Sequence, residues 1–158
     1  MAMAMPRRSS FSPWVTVYSL PELNPVARLR TAHYVSGVWF SPAGNELTVI
    51  NRGGIERWDT VSWRRNWREA GSPISDSYVL YAPDGRTLWR VTSFRDPALC
   101  DAGTLEPLLP LPANVLPLAV SADGRQLAVS VDDQRVQVWD LRELRANFRE
   151  LGLDWGAL

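Results

Sequence analysis

The sequence contains no lysine: all 17 basic side chains are arginine, balanced by 17 acidic ones. Without lysine there can be no Schiff base, no phosphate-loop lysine and no kinase strand lysine. There is one cysteine, Cys100, so an intrachain disulfide is excluded. With a single histidine beside it, a Cys/His zinc cluster is excluded too. Zero net charge gives no electrostatic reason to bind nucleic acid or an anionic membrane. No apolar run approaches the roughly 18 residues of a spanning helix. The most apolar window, residues 105–120, is broken by Pro107, Pro110, Pro112 and Pro117, a proline density that forbids a helix. The opening MAMAMPRRSS has a basic pair, Arg7 and Arg8, but no apolar run after it, so it makes a poor signal peptide. We expect a cytoplasmic protein without cofactor or metal and without catalytic activity. The total use of arginine is read as a GC-rich genome. The length of 158 residues allows one domain with a real core.

What is present is an internal repeat. VWFSPAGNELTVI at 38–50, VLYAPDGRTLWRV at 79–91 and LAVSADGRQLAVS at 118–130 share one pattern. An apolar run leads to a small residue, a turn with glycine, and a second apolar run. The turn glycines Gly44, Gly85 and Gly124 are spaced 41 and 39 apart. A second landmark follows the same period: Tyr18-Ser19, Trp58-Asp59, Cys100-Asp101 and Trp139-Asp140, spaced 40, 42 and 39. Short runs rich in Val, Leu, Trp and Tyr, punctuated by Gly, Pro and Asp, predict an all-β fold. SPAGN, APDGR and SADGR read as hairpin turns, because glycine and aspartate tolerate positive φ.

Period and content resemble the WD-repeat β-propeller family, whose repeats of ~40–45 residues each build a four-stranded blade. The resemblance covers residues 14–140. Its best copy is SVDDQRVQVWDL at 130–141, where Asp133 stands at the family's turn aspartate and Trp139 at its strand tryptophan. His33, Trp58, Asp59 and Asp140 occupy further repeat positions. Other copies depart from the pattern: Arg52 replaces the turn aspartate before Trp58, Cys100 replaces a tryptophan, and Ala32 precedes His33 where the family has glycine. The family's His–Ser–Asp–Trp hydrogen-bond network is complete in no copy.

The resemblance implies a partial propeller of about three to four blades, forming an open arc. After an extended or disordered segment at 1–13, a partial blade would occupy 14–30, with strands at 14–20 and 26–30. A blade at 36–68 has strands at 36–40, 46–51, 55–59 and 63–68. The next, at 77–109, has strands at 77–81, 87–91, 98–101 and 105–109. The last, at 116–140, lacks its outer strand and has strands at 116–120, 126–130 and 135–140. These 13 strands fall short of the ~16 of a four-bladed ring, so the open ends invite self-association or call for further repeats in a longer polypeptide. From 141 the period changes. Leu141, Leu144, Phe148 and Leu151 predict an amphipathic helix, capped by Asp140 with Glu143 at its start and Gly152 at its end. A last blade, a helix and the phrase LGLDW resemble the ends of large bacterial kinase and signalling proteins that carry C-terminal propeller repeats.

Candidate chemistry is sparse. His33 has no nucleophile motif to serve as general base. Asp132 and Asp133 read as a tight turn rather than a cation site. Cys100 has Asp96 and Asp101 as its nearest charges in sequence, which oppose a reactive thiolate. The candidate binding surface is an arginine–tryptophan cluster: Arg57, Trp63, Arg64, Arg65, Trp67 and Arg68. Arginine with aromatics can anchor a protein interface, and arginine stems covering tryptophan rings in a packed outer strand would use the same residues. The expected function is a protein-interaction or scaffold module with a protein partner, no nucleic acid and no membrane. The alternative is a ligand-binding or enzymatic propeller with a central-channel site, where the matching positions are Ser36, Ser77 and Leu116.

Overall fold

The computed structural model describes residues 2–6, 13–70, 77–92 and 96–150. Its described residues form four antiparallel sheets and one C-terminal helix, an all-β architecture in which no sheet closes into a barrel. Each sheet is a meander, its strands paired in sequence order. The chain divides into two compact units, Met1–Tyr78 and Val79–Leu158.

In the first unit, β1 (Ala2–Pro6), β2 (Trp14–Ser19) and β3 (Pro25–Arg30) make a three-stranded sheet. The second sheet is β4 (Val35–Phe40), β5 (Glu46–Asn51), β6 (Gly54–Asp59) and β7 (Arg65–Ala70). Strand alternation decides what lies between them. Val15, Val17 and Leu29 from one sheet meet Val35, Leu47, Val49 and Trp58 from the other, with Phe40 and Trp63 at the margin. Full burial of each such aliphatic side chain contributes about 1.5–3 kcal/mol.

The second unit repeats this arrangement. Its third sheet is β8 (Tyr78–Tyr81), which starts on the last residue of the first unit, followed by β9 (Thr87–Val91), β10 (Ala98–Asp101) and β11 (Pro107–Pro110). The fourth is β12 (Val115–Val120), β13 (Gln126–Val131) and β14 (Arg135–Asp140). Trp89 and Leu99 of the third sheet pack on Leu127, Val129 and Val131 of the fourth. Helix α1 (Leu141–Glu150) follows β14 directly.

The expected hairpin turns form, and they share one geometry. Gly44 N donates to Ser41 O, Gly85 N to Ala82 O, and Gly124 N to Ser121 O, at 2.8–2.9 Å. The three glycines have φ of 71°, 70° and 69°, a left-handed conformation that glycine adopts without steric cost. The repeat at the level of letters is therefore a repeat at the level of backbone.

Two expectations need correction. The segment at 1–13 was read without a strand of its own, but Ala2–Pro6 pairs with β2, raising the described strands from 13 to 14. The outer strands begin at Arg65 and Pro107, two residues later than the predicted 63 and 105. Trp63 and Leu105 are instead the last residues of wide turns, with Trp63 N donating to Asp59 O and Leu105 N to Asp101 O. Both have left-handed φ, 52° and 62°. This costs a non-glycine residue about 1–2 kcal/mol. The turn recovers it by pointing an apolar side chain back into the core: Leu105 is buried, and Trp63 packs on the first core.

Candidate interaction surfaces

The arginine–tryptophan cluster lies on β6, β7 and the turn between them, where the sheet divides it. Trp58 sits on the face of the first core and is 8% exposed. The Arg65 guanidinium lies over its ring, 5.8 Å from the centroid. On the opposite face, Arg57 is 3% exposed, lies 5.2 Å from the Trp67 ring and pairs with Glu46 at 3.4 Å. Two separate arginine–tryptophan stacks result. Trp63 joins the core margin, Arg64 is exposed, and the Arg68 side chain lies outside the described residues. The five positions with described side chains thus divide between two sheet faces and a turn.

Beside Trp58 lies a residue that sequence reading passed over. Glu56 is 1% exposed. Its Oε1 accepts from Asn51 Nδ2 at 2.9 Å and from Ala32 N at 3.2 Å, and its Oε2 stands 3.6 Å from Arg65 Nη1. One carboxylate therefore joins the β5–β6 hairpin, the β3–β4 connection and β7. The only available signal was Glu56 two residues before Trp58, on the strand face that Trp58 turns to the core. His33 is exposed, and its ring packs against Gly53 where a Cβ would stand. Trp58 Nε1 is buried with no hydrogen-bond acceptor, so the family-type tryptophan network is not made at this position.

The repeat aspartates do local backbone work. Asp59 Oδ1 accepts from both Ser62 Oγ and Ser62 N at 2.6 Å. The Ser62 hydroxyl, then its N–H, holds this carboxyl below the usual aspartate range. Asp101 accepts from Gly103 N and Thr104 N in the same manner. At Asp140 the equivalent bonds come from Arg142 N at 2.8 Å and Glu143 N at 3.2 Å, and they cap α1 as the sequence predicts. Gly152 and Leu151 lie outside the described residues. Asp132 and Asp133, both at φ 55°, form the β13–β14 turn. Asp132 accepts from Asn114 Nδ2 and pairs with Arg135 at 3.0 Å. Trp139 is half-buried against the second core, and its Nε1 donates to Gln137 Oε1 at 3.0 Å. Among the described residues, no group of three or more His, Cys, Asp or Glu side chains is placed to hold a metal ion. No helix among them is long and apolar enough to cross a membrane.

Two features of the second unit remain. A cavity of about 100 Å³ lies between Trp89, Leu99, Val120, Leu141, Arg142 and Arg145, well below the ~300 Å³ at which small-molecule pockets begin. The other is the far face of the fourth sheet. Ala128 and Val138 stand opposite each other in its ladder, as do Ser130 and Val136. Counting from the turn glycine and from the Trp139/Cys100 landmark, Ala128 and Val138 match Trp89 and Leu99 of the third sheet, which also stand opposite each other. Trp89 and Leu99 are 2% and 3% exposed, beneath the fourth sheet. Val138 is 62% exposed and its neighbour Val136 70%. No protein-family model matches this sequence, and no curated protein matches it.

Proposed function

We propose that this chain is a non-catalytic protein-interaction module built of WD-like propeller blades and working in the cytoplasm. What supports the blade reading is the repeated backbone: four meander sheets, three glycine turns of one geometry, and aspartate-started turns at a period of about forty residues. The observation that carries the functional reading is the open face of the fourth sheet. A position that one repeat earlier is core, Leu99, is here the exposed Val138, with exposed Val136 beside it. An unpartnered apolar face of this kind is the mark of a surface that another protein covers. The arginine–tryptophan stacks serve packing in this reading and contribute at most Arg64 and the outer side of Arg65.

The test is a photoreactive residue at position 138, with one at the exposed turn residue Val61 as control. The expected result is a discrete protein adduct from position 138 in cells and none from 61. No adduct from 138, or the same adducts from both positions, overturns the reading.

A further inference from the structure

We propose that the open face of the fourth sheet binds a second copy of this chain about a two-fold axis. The proposal rests on the interaction-module reading and names its partner. Two observations favour this occupant, and a third sets its strength.

The first is charge. The face centres on Leu116, Ala128, Ser130, Val136 and Val138, none of them ionisable; the one ionisable group of the ladder on this face is Asp140, at the strand end, where it caps α1. In a two-fold interface a patch meets itself. A charge at its centre would face its like, a juxtaposition that costs several kcal/mol; the valine patch at the centre carries no such penalty. The competing occupant is the first sheet of another copy, whose face opposite Val15 and Val17 carries Arg28 and Arg30. Arg28 lies 4.6 Å over the Trp14 ring there. Seating that face on Val136 and Val138 would strip water from two guanidinium groups and offer them no carboxylate but that of Asp140, already bonded to the amides that start α1.

The second is shape. β13 is the central strand, and its outward residues Ala128 and Ser130 are small. They form a trough beside the ridge of Val136 and Val138 on β14. A two-fold rotation lays each ridge into the other copy's trough, and face-to-face sheets with strands within about 30° of each other pack in this way.

The third is size, which sets the strength. Three strands ~4.8 Å apart and six residues long at ~3.3 Å per residue give a footprint of roughly 300 Å² per copy. Stable interfaces commonly bury about 800 Å² per partner. The dimer is therefore weak, with a dissociation constant in the micromolar range or above.

The experiment is sedimentation equilibrium on the purified 158-residue chain from ~5 to ~500 µM. The expected result is a monomer–dimer equilibrium that Val138→Lys shifts to monomer at least tenfold. The variant's circular dichroism and melting should be unchanged, because Val138 is mostly exposed. Val138→Cys should form a disulfide-linked dimer under mild oxidation; wild type should not, since Cys100 is buried. Monomer throughout, assemblies larger than a dimer, or a dimer indifferent to Val138→Lys overturns the proposal. If the purified chain is monomeric while the position-138 photoadduct contains a different protein, the second copy is overturned and the interaction-module reading stands. If neither association nor adduct is found, both fall.

Discussion

Replacing Glu56 tests whether one buried carboxylate fastens the first unit. Glu56→Ala removes the acceptor of Asn51 Nδ2 and Ala32 N together. Leaving a buried donor unsatisfied costs about 1–3 kcal/mol. Asn51 is 1% exposed and should pay in full; Ala32 lies in an exposed connection, where water can replace the lost acceptor. Truncation also empties a buried site opposite Val49 in the ladder. We therefore expect a loss of about 2–4 kcal/mol. Glu56→Gln should cost much less. Its amide oxygen can keep both donors, and only the contact with Arg65 is lost. The Arg65 side chain is 40% exposed, so solvent screening limits that pair to at most about 1 kcal/mol. Arg65→Gln should match Glu56→Gln, and the double variant should add little. The readout is native-state hydrogen exchange at the amides of β4 and β5, which reports on the first unit alone. If Glu56→Ala destabilises those strands no more than Glu56→Gln, or by less than ~0.5 kcal/mol, the carboxylate is a passenger and the reasoning fails.

Acid should release the cap of α1. The Glu143 N–H, followed by that of Arg142, holds the Asp140 carboxyl below the usual aspartate range. A group depressed on folding stabilises fully above its unfolded value, about 3.9, and loses that contribution as pH falls through the folded value. Helical circular dichroism should therefore decline below about pH 4, and Asp140→Asn, which keeps a capping oxygen, should flatten this decline; an unchanged acid profile in that variant refutes the assignment. Leu105→Gly should relax a left-handed φ but empty a buried site, for a net loss of about 1–3 kcal/mol, measured by urea unfolding. A gain in stability would show that the turn is strained rather than anchored.

The glycine turns and most strands were legible in the sequence because each depends on local chemistry: Asp84-Gly85 and Asp123-Gly124 announce positive φ by residue type alone. The outer strands were misplaced because Trp63 and Leu105 look like strand residues. Only tertiary packing tells an apolar side chain to enter the core from a left-handed turn. β1 escaped notice because AMAMP carries no turn signal and little β-propensity, and its register comes from pairing with β2. The arginine–tryptophan cluster was legible as composition but not as geometry. Side chains adjacent in sequence leave opposite faces of a strand, so Arg57 and Trp58 never share a surface. Glu56 was illegible for a related reason: its partners, Ala32, Asn51 and Arg65, come from three different elements, and a buried charge is explained only by them.

The aspartate turns carry a consequence for how such a chain could be lengthened or re-engineered. Asp59, Asp101 and Asp140 each gather the amides two or three residues ahead, and the instruction is then complete. After the first two the chain returns as a strand; after the third it runs on as a helix. The aspartate therefore acts as a graft point, fixing the exit of one strand without dictating what comes next. Residues 60–70 spliced in after Asp140 would meet the same local geometry they leave at Asp59. The apolar period of the appended segment alone would then decide between an added strand along β14 and a helix leading away.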